Sequence, residues 1–273
     1  MPFITTQDGV ALHYTDWGSG RPIVLIHGWP LSGAMWEYQA VHLAENGFRV
    51  ITYDRRGFGE SGKPWSGYDY DTLADDLAVL MDGLDLQGAM LVGFSMGGGE
   101  VARYLRRHGA ARVAKAVLVS AVTPFLLKTP DHAEGVPRET FDEIVQGLRN
   151  DRPYFLTSFV RQFFGAGMLN FTVTGEILQW AHGLAMQASP KATLDCVRAF
   201  SETDFRDDMR AFAVPTLVIH GDADNTVPVD VTGRAAARMI LGARLNTYGG
   251  APHGLFFTER LRLGADLLDF ARE

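Results

Sequence analysis

Six short apolar runs punctuate the chain: PIVLIH (22–27), RVITYD (49–54), AMLVGF (89–94), AKAVLVSA (114–121), TLVIHG (216–221) and ARLNTYG (243–249). Each is rich in β-branched residues or closely bounded by turn residues, so each predicts a strand. The runs are continuous rather than alternating, the pattern of strands covered on both faces. Between them the apolar positions recur at helical spacing. From Asp71 to Leu84, the residues Leu73, Leu77, Leu80, Met81 and Leu84 form a 3.6-residue stripe. Further helices are predicted over 98–108, 231–241 and 261–271. Strand and helix alternate, which predicts an α/β fold with a mostly parallel sheet and helices on both faces. The opening segment FITTQDGVALHYTDWGSG alternates instead and carries Asp8-Gly9, a hairpin signal. It predicts an antiparallel pair at the sheet edge.

The pattern changes from about Pro124 to about Thr203. Strand signals stop, and four helical segments follow, near 137–149, 152–165, 173–187 and 190–201. They carry Phe141, Phe155, Phe159, Phe163, Phe164, Trp180 and Phe200. A helical block inserted into an α/β sheet reads as a lid over the strands' C-terminal ends, where open parallel sheets bind ligands. The expected division is a core of residues 1–123 and 204–273 with a lid of residues 124–203.

Composition narrows the function. A chain of 273 residues suits one α/β domain with an insertion. The formal net charge of -7 repels phosphate backbones, so nucleic acid is not an expected partner. The single cysteine, Cys196, cannot form an internal disulfide. It lies in the helical stretch LDCVRAF without a glycine turn and reads as a core residue. The start, MPFITTQDGV, lacks a basic region followed by an apolar one, so no signal peptide is expected. The longest apolar stretch, AVLVSAVTPFLL, is too short to span a bilayer. A soluble cytoplasmic protein with no membrane partner is expected.

The candidate chemistry lies after the third run, in LVGFSMGGGEVARYL. Gly93-Phe94-Ser95-Met96-Gly97 is a G-x-S-x-G placed between a strand and a helix with no room for a loop. A serine there sits on a sharp turn that lifts its Oγ above the sheet. The glycines on either side let strand and helix backbones approach closely. Met96 N–H lies at the helix N-terminus, where the dipole favours negative charge, and is a candidate oxyanion donor. A serine hydroxyl needs a base, and the base an orienting acid.

Of the downstream histidines, His108 ends a helix, His132 and His182 lie in the lid, and His220 closes a strand as a core histidine. His253 lies in GGAPHGLF, a loop able to hold an imidazole over the sheet edge, and is the expected base. The acid should follow TLVIHG. There Asp224 is favoured over Asp222, which reads as a turn brace. The second oxyanion donor is expected from His27-Gly28-Trp29-Pro30, through Trp29 N–H, with its indole free to wall the pocket. Asp54, in YDRRGFGESG, is expected to pair with Arg55 or Arg56 or to brace the glycine turn.

Together HGWP, YDRRGFGESG, GFSMGGGEVARY, VPTLVIHGDADNTVP and APHG resemble the cofactor-free bacterial haloperoxidase, perhydrolase and aryl-esterase group of the α/β-hydrolase superfamily. The resemblance runs over nearly the whole chain and is weakest in the lid. It implies the α/β-hydrolase fold and a Ser-His-Asp esterase acting on small, often aromatic, esters. It also implies promiscuous perhydrolysis, in which peroxide replaces water and the peracid can oxidise halide. It implies no haem, metal or other cofactor, and a homo-oligomer. Carried over by residue, Ser95, Asp224 and His253 occupy the triad positions, and Trp29 and Met96 the oxyanion positions. Pro30 stands where perhydrolase-type members carry proline. Phe159, Phe163, Phe200 and Val227 fall where the group lines its acyl pocket. A dehalogenase or epoxide hydrolase would carry a carboxylate in place of Ser95. A lactamase, lactonase or carbon–carbon bond hydrolase would share the triad, because fold and triad do not fix the substrate. A non-catalytic binding protein on this scaffold is the remaining rival.

Overall fold

The computed structural model describes residues 2–167 and 173–273. Residue 1 of the expected core and residues 168–172 of the expected lid lie outside the described residues. Among the described residues eight strands form the sheet: β1 (Phe3–Thr5), β2 (Ala11–Gly18), β3 (Pro22–Ile26), β4 (Arg49–Tyr53), β5 (Ala89–Phe94), β6 (Val113–Val119), β7 (Thr216–Gly221) and β8 (Arg244–Tyr248). Their order across the sheet is β1-β2-β4-β3-β5-β6-β7-β8. β1 pairs antiparallel with β2, and β2 antiparallel with β4. Every later pairing is parallel.

The continuous apolar runs become the sheet centre. All six residues of β5 and all six of β7 are buried. The run at 243–249 differs, because β8 is an edge strand on which Arg244 and Leu245 are exposed. At the other edge Gly9, at φ +84°, makes the expected turn between β1 and β2.

Helices cover the sheet: α1 (Glu37–Glu45), α2 (Tyr70–Gly83) and α3 (Met96–His108) early in the chain. α1 has no counterpart among the sequence expectations. Its buried residues include Ala40 and Leu43. A helix packed this way derives its stability from such tertiary contacts more than from its own propensity.

Between β6 and β7 the chain makes α4 (Arg138–Phe163), α5 (Gly175–Gln187) and α6 (Pro190–Glu202). This is a large helical insertion resembling a lid. The two segments expected near 137–149 and 152–165 are two halves of α4, bent at Asp151, whose backbone is non-helical. Asp151 Oδ1 accepts the N–H of Tyr154 at 3.0 Å and so caps the second half, with Pro153 in its first turn. The chain closes with α7 (Gly233–Met239), α8 (Leu255–Thr258) and α9 (Arg260–Arg272). No helix among the described residues is long and apolar enough to cross a membrane.

Candidate active site

Ser95 joins β5 to α3 at φ +52° and ψ -117°, a conformation that costs a non-glycine residue energy. Close packing holds it there. A Cβ on Gly93 would lie 2.4 Å from the Gly97 carbonyl oxygen, and one on Gly97 would lie 2.7 Å from the Ile26 oxygen. Side chains at either position would push α3 off the strands. On the neighbouring loop, a Cβ on Gly28 would lie 2.6 Å from the Phe94 ring and 3.1 Å from Ser95 Cβ. The backbone that leads into Trp29 therefore lies directly beside Ser95, and Met96 begins the helix on its other side.

His253 Nε2 lies 3.0 Å from Ser95 Oγ, and His253 Nδ1 lies 2.6 Å from Asp224 Oδ2. All three residues are buried. The other oxygen of Asp224 accepts the N–H groups of Thr226 and Val227 at 2.9 and 2.8 Å. The turn thus pins one carboxylate oxygen and aims the other at the imidazole. Burial pushes the Asp224 carboxyl up, but the charge of His253 and hydrogen bonds from His220 and His253 outweigh it. The carboxyl is held well below the usual carboxylate range. A hydroxyl, an imidazole and an ionised carboxylate in line can move the Ser95 proton onto His253 as the oxygen attacks a carbonyl.

A model of the alpha/beta hydrolase fold family matches residues 21–260. The chain belongs to the α/β-hydrolase family. It is 44% identical to a non-heme chloroperoxidase of Kitasatospora aureofaciens over 99% of both chains. It is 40% identical to a bifunctional esterase/perhydrolase of Acinetobacter calcoaceticus over the full length of both. The crystal structure of a bromoperoxidase from Bacillus anthracis, 47% identical, superposes with a TM-score of 0.97 over 100% of this chain and 99% of the other. Within the superfamily the chain is thus related to the non-heme haloperoxidase, esterase and perhydrolase group.

In this α/β-hydrolase the insertion roofs Ser95 and His253, and a cavity of about 50 Å³ remains between them. Trp29, Phe159, Phe200 and Val227 line it. The Trp29 indole forms part of this wall and is anchored there: its Nε1 donates to the Thr193 carbonyl at 3.1 Å, and its ring meets Phe159 and Phe200 with centroids 5.1 and 5.6 Å away. Phe163 does not line the cavity. Its ring stands at 89° to that of His253, with centroids 4.8 Å apart, next to the Phe94 ring, which lies 4.9 Å from His253 and 5.9 Å from Phe163. Phe141 and Ile144 on α4, with Val122, Leu126 and Val136, wall the cavity and were not expected there. Among these wall residues the early face of α4 could have pointed to Phe141 and Ile144, which are three positions apart.

Asp54 pairs with neither neighbouring arginine. Its carboxylate accepts N–H groups from Gly33 and Glu60 at 2.8 and 2.9 Å and faces His13 Nδ1 at 3.1 Å. It braces the glycine turn because Gly59 approaches too closely for any Cβ. Arg55 instead reaches across to buried Glu100, which also accepts from Tyr53 Oη at 2.6 Å. Arg55 further donates to the His27 carbonyl at 2.7 Å, and its N–H donates to His27 Nε2 at 3.0 Å. Burial and the Arg55 charge push His27 well below its ordinary value, so the ring is neutral. This buried network supports the loop that carries Gly28 and Trp29. Arg56 pairs with Asp76 and Asp8. Asp222 is exposed and accepts the Gly250 N–H at 2.6 Å, away from His253. Cys196 is fully buried. His108 pairs with Asp75, and His182 Nε2 lies 3.2 Å from the Pro153 carbonyl oxygen.

Proposed function

We propose that this chain is a serine esterase that hydrolyses small, uncharged, often aromatic carboxylic esters through an acyl-enzyme on Ser95. The observation that carries this reading is the line from Ser95 through His253 to Asp224, opening on an apolar cavity. No Lys, Arg, Asp or Glu among the described residues lines that cavity. Apolar walls favour a neutral acyl group, because an unpaired charge would lose its hydration there. The small volume favours a short one.

In this mechanism Ser95 Oγ attacks the ester carbonyl while His253 Nε2 takes its proton. Asp224 keeps the proton of Nδ1 in place and stabilises the imidazolium. The N–H groups of Trp29 and Met96 receive the oxyanion, each worth about 3 kcal/mol in the transition state. His253 then protonates the departing alcohol. Water deprotonated by His253 releases the acid and restores Ser95. Hydrogen peroxide in the place of water would release a peracid instead, the perhydrolase activity that the name of the Acinetobacter calcoaceticus relative carries. The wall residues Phe159, Phe200 and Val227 would hold the acyl group, and Phe163 would act on His253 instead.

The same reading assigns residues 1–123 and 204–273 to the core and 124–203 to the lid. It also holds the protein to be a cytoplasmic homo-oligomer without nucleic-acid partners, in keeping with its net charge of -7 and its single buried cysteine. Hydrolysis of p-nitrophenyl acetate tests the central claim. Turnover by the wild type that vanishes in Ser95→Ala supports it; a folded wild type with no turnover on this or other neutral esters overturns it.

A further inference from the structure

A second histidine touches the acid. His220, at the end of β7, is fully buried. Its Nε2 lies 2.9 Å from the Val227 carbonyl oxygen and 3.3 Å from Asp224 Oδ2. A carbonyl oxygen can only accept, so Nε2 carries the proton. Nδ1 has no hydrogen-bond partner among the described residues and is buried. It faces the backbone of Gly233 so closely that a Cβ there would lie 2.5 Å from it. The carbonyl partner of Nε2 therefore selects the Nε2–H form of the ring.

We infer that His220 is a positioning residue of the hydrolytic site, whose Nε2–H is shared between the Val227 carbonyl and Asp224 and locks the acid toward His253. The inference rests on the proposed triad. The geometry is specific. Asp224 Oδ1 takes two backbone N–H groups from its own turn, and Oδ2 takes His253 Nδ1–H and lies 3.3 Å from His220 Nε2. Three donors and a second imidazole nitrogen surround one carboxylate. The ionisable groups acting on it are His253 and His220. From α7, the element packed against the ring, Gly233 presents no side chain. Its arginines are turned away, with Arg234 paired to Asp230 and Arg238 exposed. The donor from His220 draws negative charge away from the oxygen that faces His253. It therefore restrains the stabilisation of the imidazolium and keeps His253 ready to release its proton to the leaving alcohol.

The test compares His220→Leu, which removes the donor, with His220→Gln, whose amide nitrogen can take the place of Nε2. Hydrolysis of p-nitrophenyl acetate is followed against pH. In His220→Leu, kcat should fall by about tenfold or more, the scale of one hydrogen bond to a charged group. The acid limb of kcat/KM should move to higher pH, because Asp224 now stabilises the imidazolium more strongly. His220→Gln should restore both. A limb that stays in place or moves down in His220→Leu, or a Gln variant no nearer to wild type than Leu, overturns the inference. Ring ¹⁵N shifts of the wild type read the tautomer without any variant. A His220 that carries its proton on Nδ1 overturns it even if the Leu variant fails to fold. Loss of the triad reading itself would look different: Ser95→Ala and His253→Ala would then match the wild type.

Discussion

The last residue of helix α4, Phe163, holds both His253 and the glycine that follows it. Its ring meets the imidazole edge to face, 4.8 Å between centroids at 89°, and its carbonyl accepts the N–H of Gly254 at 2.7 Å. The helical insertion is thus fastened to the loop that carries the imidazole. Phe163→Ala should leave that carbonyl contact but free one face of the ring. The side chain is buried, so about 3–5 kcal/mol of stability should be lost. Hydrolysis should show a larger fall in kcat than rise in KM, since the substituted side chain faces His253 rather than substrate. Steady-state kinetics with a urea denaturation curve check both. A change confined to KM would mean that Phe163 binds the acyl group after all.

The Arg55–Glu100 pair lies wholly inside the protein, with 1% and 0% of the side chains exposed. Glu100→Ala would leave the guanidinium buried without its counter-charge. Breaking a buried pair from one side costs roughly 3–5 kcal/mol. The variant should unfold at clearly lower urea concentration. Because Arg55 also holds the His27 carbonyl, its kcat on p-nitrophenyl acetate should fall as well. An unchanged urea midpoint would show that the pair contributes nothing to the fold.

Acid stability should carry the mark of Asp224. Its carboxyl ionises below the unfolded value of about 4. Folding therefore favours the ionised form. The corresponding stabilisation is present in full above about pH 4 and is lost as pH falls through the lower folded-state value. Asp224→Asn lacks this contribution. The difference in urea midpoint between wild type and Asp224→Asn should shrink as the solution is taken below about pH 4. A difference that stays constant on acidification would rule out a depressed carboxyl.

Cys196 should be silent as a thiol. Burial pushes it up to about 12, and the thiolate is the reactive form. In native protein at mildly alkaline pH, iodoacetamide should leave it unmodified by mass spectrometry, whereas the unfolded chain should be labelled fully. Rapid labelling of the native enzyme would contradict its burial.

Much of this protein can be read from local order along the chain. Strand runs without alternation mark the sheet centre because a strand covered on both faces needs apolar residues at every position. The elbow around Ser95 is equally legible, since its glycines and its place between strand and helix are neighbours in sequence. The order Ser95, Asp224, His253 follows from one loop after another at the same sheet edge. Helix α1 and the roles of Phe163, His220 and Arg55 are of another kind. They depend on groups brought together across the fold: Ser95 and His253 lie 158 positions apart, Arg55 and Glu100 45. Spacing along the chain says that a phenylalanine is buried, but not whether it faces a substrate or an imidazole. It marks an arginine beside an aspartate, but not the glutamate that competes for it. Those choices are made by distance in three dimensions, where burial penalises any charge or polar group left without its partner.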